Sequence, residues 1–234
     1  MSRREEATEQ KIARFADQVA GRIDAVVEKL DAVAAEALSA TGGFDSFVKS
    51  TRELLVESGN VGALAGVGYA VAYQDSADQP AMVWWVHRGD SVVERTHSVD
   101  PDSESFYDYA SLRWFRTAMV SGQPTLSGPF IDTWGSDDYT VTVSLAVPGP
   151  SGPRGVVAAD VDVRRFIESL TADLQRIPTP VALVNESDRV VVSTLPSLST
   201  GLPIRSRAAR NDPDYAALQR LPVSHYGWSV VLLD

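Results

Sequence analysis

The chain has 234 residues, 44% hydrophobic and 22% charged, with 16 glycines and 13 prolines, a globular composition with room for one large core or two small ones. Its 31 acidic residues outnumber 21 basic ones, and the formal charge of −10 opposes broad binding to nucleic acid or attachment to an anionic membrane surface. Cysteine is absent, which removes disulfides, thiolate metal sites and a thiol nucleophile. The opening MSRREEATEQ carries both signs of charge and leads into no apolar signal core, and no run is long enough to span a bilayer, so a cytoplasmic location is expected.

Between Glu5 and Leu38, apolar residues Ile12, Phe15, Val19, Ile23, Val26, Leu30, Val33 and Leu38 recur every three or four positions, which predicts one long amphipathic helix. From Ile12 to Leu38 it would run roughly 40 Å, with a near-heptad period, and Gly42-Gly43 ends it. Such a stripe fits either its own chain, as a spine, or a second copy. Because its length exceeds what one small module covers, a homodimer through this helix is expected. A second helix over Phe44 to Ser58 completes a helical region, residues 1–58.

From Val67 the period falls to two. The runs GYAVAYQ, AMVWWVHRG and SVVERTHS, rich in Val, Tyr, Trp and Thr and parted by turn residues, predict antiparallel strands. Ser105 to Val120 reads as a partly helical crossover stopped by Ser121-Gly122-Gln123-Pro124. A second meander follows in LSGPFID, YTVTVSLAV and VVAADVDV; YTVTVSLAV alternates small polar with apolar side chains, so one of its faces lines something. A helix over Arg164 to Gln175 closes a module spanning residues 59–176. After Ile177-Pro178-Thr179-Pro180, the hairpin VALVNESDRVVVST, a short helix DPDYAALQRL and the strand HYGWSVVLL predict a smaller α+β module, residues 177–234.

Signatures of common chemistries are missing. There is no G-x-S-x-G elbow or S-x-x-K, no phosphate-binding glycine loop, and His87, His97 and His225 lack metal-ligand spacing. Aromatic and acidic residues do concentrate in the meander: Tyr107, Asp108, Tyr109, Trp114, Phe115, Phe130, Asp132, Trp134, Tyr139 and Asp160. Aromatic walls with a few carboxylates suit a small cation, since the rings exclude water and offer π faces while the carboxylates accept N–H bonds. The plainer alternative is that the aromatics are core and the acids turn formers.

Residues 106–163 resemble the core of Cache domains, the PAS-like ligand-binding modules of bacterial sensors. Tyr107, Asp108 and Trp114-Phe115 echo the family's Tyr-Asp followed by Arg-x-Trp-Tyr; Gly128-Pro129-Phe130-Ile131-Asp132 echoes Gly-Pro-Tyr-x-Asp; Gly155 to Asp160 echoes the strand Gly-Val-x-Gly-x-Asp. The long first helix and small last module also match the family's two-module form. The chain is especially similar to free-standing cytoplasmic members from actinobacteria.

The resemblance implies an α+β fold, a long N-terminal helix followed by two PAS-like antiparallel-sheet modules. It implies a non-enzymatic sensor of an amine or amino-acid-like small molecule, without a cofactor. Asp132 and Asp160 would accept the ammonium group, with Tyr107, Tyr109, Trp114, Phe130 and Tyr139 around it. One match fails: Leu112 stands where the family's carboxylate-binding arginine belongs, and Arg113 is one residue off, about 100° away on a helical turn. A ligand with a recognised amine and a neutral other end is therefore expected, unless Arg113 or another residue supplies the charge. With no output domain in the sequence, a separate transcription regulator is the expected partner. The alternative is an enzyme of small amines or organic acids using Asp132 and Asp160 as an acid–base pair.

Overall fold

A computed structural model describes residues 3–40, 43–59, 63–71, 82–95, 97–98, 100, 102–104, 106–131, 139–204 and 218–233. Helix α1 (Arg3–Ser39) forms over the expected stripe, and Ile12, Phe15, Val19, Ile23, Leu30 and Val33 are each at most 6% exposed. No helix among the described residues is long and apolar enough to cross a membrane. By its contacts the chain divides into two compact units. One comprises Ala25–Ser127 and Val141–Asp162, and the other Met1–Asp24, Gly128–Thr140 and Val163–Asp234.

The first unit is built on a six-stranded sheet in the order β3-β2-β1-β6-β5-β4. Its strands are β1 (Leu64–Val71), β2 (Met82–Arg88), β3 (Ser91–Glu94), β4 (Thr125–Ile131), β5 (Tyr139–Val147) and β6 (Gly155–Asp162), the outer ends of β4 and β5 being assigned to the other unit. The pairs β1–β2, β2–β3 and β1–β6 are antiparallel. Helix α2 (Phe44–Ser58) covers one face of this sheet. Phe47 stacks on Tyr69 of β1 with ring centroids 3.9 Å apart, Phe44 meets the same ring at 5.7 Å, and Trp85 Nε1 donates to the Val48 carbonyl at 3.1 Å. Phe47 and Tyr69 are wholly buried, and a phenylalanine buried this fully contributes about 2 kcal/mol. Between the two meanders lie a 3-10 turn (Tyr109–Ser111) and helix α3 (Arg113–Ser121), as the crossover reading anticipated.

The second unit holds a four-stranded antiparallel sheet, order β8-β7-β10-β9, from β7 (Val181–Val184), β8 (Val190–Ser193), β9 (Arg220–Val223) and β10 (Trp228–Leu232). Helix α4 (Val163–Leu174) belongs with it, Phe166 meeting Trp228 edge-on at 6.1 Å. The β7–β8 turn is held by Asn185, whose Oδ1 accepts from the Ser187 and Arg189 amides, both at 2.9 Å, while its Nδ2 donates to the Gly128 carbonyl at 2.7 Å. The first part of α1 is tied in by Arg22, which donates to Ser169 Oγ and O, and by Tyr226 Oη, which donates to Asp24 Oδ1. Burial, and then that bond, push the Tyr226 phenol above its ordinary pKa. The short helix expected over Asp212 to Leu221 lies largely outside the described residues, but its last two residues, Arg220 and Leu221, are strand. Backbone pairing with β10 overrides their weak helical pattern.

Six of the eight stripe residues are thus buried within one chain, whereas Val26 is half-buried and Leu38 is 38% exposed. Ile23→Glu should accordingly destabilise the fold by about 3 kcal/mol or more, because it buries an unpaired carboxylate. Thermal unfolding checks this through a Tm lowered by roughly 6 °C or more. An unchanged Tm accompanied by dissociation of a parent dimer would place the stripe in an interface instead.

Candidate functional site

Strand β1 alternates residues with almost no side chain and residues with large ones. Gly66, Gly68 and Ala70 face one way; Val67 and Tyr69 face the other, toward α2. In register, Gly66 opposes Val86 and Asp160, Gly68 opposes Trp84 and Ala158, and Ala70 opposes Met82 and Val156. Directly opposed residues share a face, so Trp84 and Asp160 stand on the side away from α2.

The Trp84 indole lies across the two glycines. A Cβ on Gly68 would come within 2.3 Å of Trp84 Cε3, and one on Gly66 within 2.7 Å of its Nε1. Trp114 of α3 then meets Trp84 at 5.7 Å between centroids. Phe115 closes the cluster, edge-on to Trp114 and to Tyr109 at 5.7 and 5.2 Å. Tyr109 Oη donates to the Val71 carbonyl at 2.9 Å, which pins the 3-10 turn to the end of β1.

Beside this aromatic surface stands a polar row. Thr140, Thr142 and Ser144 alternate along β5 with Val141, Val143 and Leu145, and all three hydroxyl residues are buried. Thr142 Oγ1 donates to Asp160 Oδ1 at 2.7 Å, which places the row on the Asp160 face. A register shift between Leu64 and Gly66 falls beside Asp160, and such irregularities re-aim the neighbouring side chains. The Thr142 hydroxyl bond orients the Asp160 carboxylate, which has about four lone-pair positions in all.

The structure thus brings Tyr109, Trp114 and Asp160 to one unit, the first two in ring contact at 6.5 Å. Tyr107 is half-buried there, its amide donating to the Ser98 carbonyl at 3.0 Å. Phe130 and Tyr139 belong to the other unit and are 37% and 41% exposed. The Tyr139 ring packs on Gly201, where a Cβ would come within 2.7 Å of its hydroxyl. Asp132 and Trp134 lie outside the described residues. Leu112 caps α3 with an extended backbone, φ −75° and ψ 147°, rather than sitting in a helical turn. The 100° separation expected between Leu112 and Arg113 therefore does not apply; Arg113 is the first residue of α3 and exposed. Trp84 and Thr142 are site residues that motif comparison misses, although the G-x-G alternation and the polar alternation of β5 carry the signal. Among the described residues no His, Cys, Asp and Glu cluster is placed to hold a metal.

No family model matches the chain, and no curated protein matches its sequence. Solved structures do. The ligand-binding domain of the Pseudomonas fluorescens chemoreceptor CtaA in complex with L-valine is 14% identical with a TM-score of 0.67, over 97% of each chain. That of the Pseudomonas aeruginosa PAO1 amino-acid chemoreceptor PctC, in complex with GABA, is 14% identical with a TM-score of 0.61, over 98% of this chain and 99% of the other. PctB of the same organism, in complex with L-Arg, is 14% identical with a TM-score of 0.63, over 97% and 93%. The likeness is one of fold. The chain has the α+β architecture of such ligand-binding domains, a long first helix and two antiparallel-sheet modules, which is the Cache fold.

Two measurements test this geometry. Gly68→Ala should cost roughly 1–3 kcal/mol and move the tryptophan emission, because the new methyl meets both the indole and the Val83 carbonyl, each at 2.3 Å; wild-type stability with unchanged emission would show that Trp84 does not lie on β1. His97, half-buried beyond β3, has its pKa lowered from 6.5 by burial, against a hydrogen bond to the Arg95 backbone and the Glu94 charge. The unfolded chain then binds more protons as pH falls below 6.5, so stability is complete above that pH and declines below it. His97→Gln should flatten the decline, read as the urea midpoint against pH; parallel curves for the two proteins would refute the assignment.

Proposed function

We propose that the chain is a non-enzymatic small-molecule sensor whose six-stranded-sheet unit receives an amine-bearing or amino-acid-like metabolite on the Trp84 face. The observation that carries this reading is a carboxylate, Asp160, oriented by Thr142 on the same sheet face as a tryptophan surface. A carboxylate beside π faces suits an ammonium group, which takes hydrogen bonds from the one and electrostatic attraction from the other. The three similar structures hold L-valine, GABA and L-arginine, which share an ammonium group and a carboxylate and differ elsewhere. On this reading Tyr107, Tyr109 and Trp114, which lie in the same unit as Asp160, shape the surroundings. A free-standing cytoplasmic form that passes its state to a separate transcription regulator belongs to the same proposal.

A thermal-shift screen of amines and amino acids identifies the ligand, because a molecule that binds only the folded chain raises its Tm. Asp160→Asn should then weaken binding more than tenfold, about 1.5–3 kcal/mol for a charge-assisted hydrogen bond, with the fold intact by circular dichroism. Unchanged affinity in a folded variant, measured by calorimetry, would remove the amine site.

A further inference from the structure

The hydroxyls of the Asp160 face are of two kinds. Thr142 is committed to Asp160, whereas Ser144, two residues further along β5, is wholly buried and its hydroxyl has no hydrogen-bond partner among the described residues. Ser127, on the neighbouring strand β4, is 3% exposed and its hydroxyl is in the same condition. We infer that Ser144 receives a neutral hydrogen-bonding group of the ligand, a hydroxyl or a carboxamide, so that the metabolite sensed is an amino alcohol or an amino amide. The inference rests on the proposed role of Asp160.

Strand direction sets where Ser144 lies. The Arg154 amide donates to the Val147 carbonyl at 2.9 Å and so joins the end of β5 to the start of β6; the two neighbours therefore run antiparallel. A step from Thr142 to Ser144 on β5 thus matches a step from Asp160 back to Ala158 on β6. Ala158 belongs to the row of Gly68 and Trp84. Residues two apart share a face, which puts Ser144 on the Asp160 face at the level of Trp84, roughly 7 Å along the strand from Thr142. Asp160, through its bond to Thr142, marks one end of a short track, and Ser144 marks the other. The Trp84 indole lies across Gly66 and Gly68 of β1, alongside this track and not between its ends.

The chemistry at the Ser144 end follows from what surrounds it. A serine hydroxyl can donate one hydrogen bond and accept others, which suits a hydroxyl or an amide, but it brings no charge to a carboxylate. Strands β4, β5 and β6 contain no lysine or arginine, and Arg154, in the turn between β5 and β6, sets its guanidinium over the Phe47 ring on the α2 side. An anionic group at Ser144 would lose its hydration within reach of the Asp160 charge, a cost that a neutral group avoids. Packing alone gives no reason for a hydroxyl here, since alanine would occupy the position without an unpaired buried polar atom.

Two measurements on the full chain test this. In thermal unfolding without ligand, Ser144→Ala should leave Tm unchanged or raised, because it removes an unpaired buried hydroxyl. Calorimetry with n-pentylamine, 4-aminobutan-1-ol, 4-aminobutanamide and GABA then reads the chemistry, since these probes share an amine on a chain of similar length and differ at the far end. The alcohol or the amide should bind roughly three- to tenfold more tightly than pentylamine and GABA, the worth of a neutral hydrogen bond. In Ser144→Ala that advantage should vanish. Pentylamine or GABA binding as tightly as the alcohol and the amide overturns the inference and leaves the amine site standing. A folded Ser144→Ala protein that keeps the advantage also overturns it, as does a ligand-free Tm lowered by several degrees, which would make the hydroxyl a structural one. Absence of binding by every probe, or binding indifferent to Asp160→Asn, removes the amine site and this inference together.

Discussion

Trp84 can lie against the sheet only because its two neighbours on β1 have no side chain. A methyl at either Gly66 or Gly68 would enter the van der Waals radius of the indole, and at Gly68 it would also meet the Val83 carbonyl, which cannot swing aside. Two glycines in a strand weaken it locally, since each loses more backbone freedom on folding and packs nothing of its own. Here the indole provides the packing they lack. Once it is down, Trp114 has a surface to meet, Phe115 and Tyr109 fit around Trp114, and the Tyr109 hydroxyl reaches the last residue of β1. The order of the crossover between the meanders thus follows from two missing side chains.

The two faces of the sheet then diverge in chemistry. Toward α2 the layer is dry, with Phe47 on Tyr69, aliphatic side chains around them and Trp85 satisfied by a helix carbonyl. On the other face three hydroxyl residues of β5 are buried, where valine would pack as well at lower cost. An unbonded buried hydroxyl costs about 1–3 kcal/mol. Thr142 offsets that by bonding Asp160, whereas the Ser144 and Ser127 hydroxyls find no protein partner among the described residues. Stability alone would not favour such a row. A face that must meet a polar molecule would.

Much of this was legible in the sequence. The helical stripe, the strands and the crossover follow from periodicity, and YTVTVSLAV announced its two faces by alternation, with the observed β5 covering the same residues. The covering of α1 was not legible, because a near-heptad stripe looks the same whether a second copy or the rest of the chain lies over it. Nor was the strand at Arg220: its pairing with β10 is a non-local contact that local propensity does not report. Within the site, motif comparison reached Tyr109, Trp114 and Asp160 but passed over Trp84, since adjacent tryptophans in a strand give no hint of which one turns to which face until the register is known.

Net charge gives the face its final constraint. In a chain ten charges negative, the average field repels anions and favours cations, so an ammonium group needs little more than one oriented carboxylate. A carboxylate ligand enters against that field and needs a local cation held close and partly shielded from water, where Coulomb attraction is several times stronger than at an exposed position.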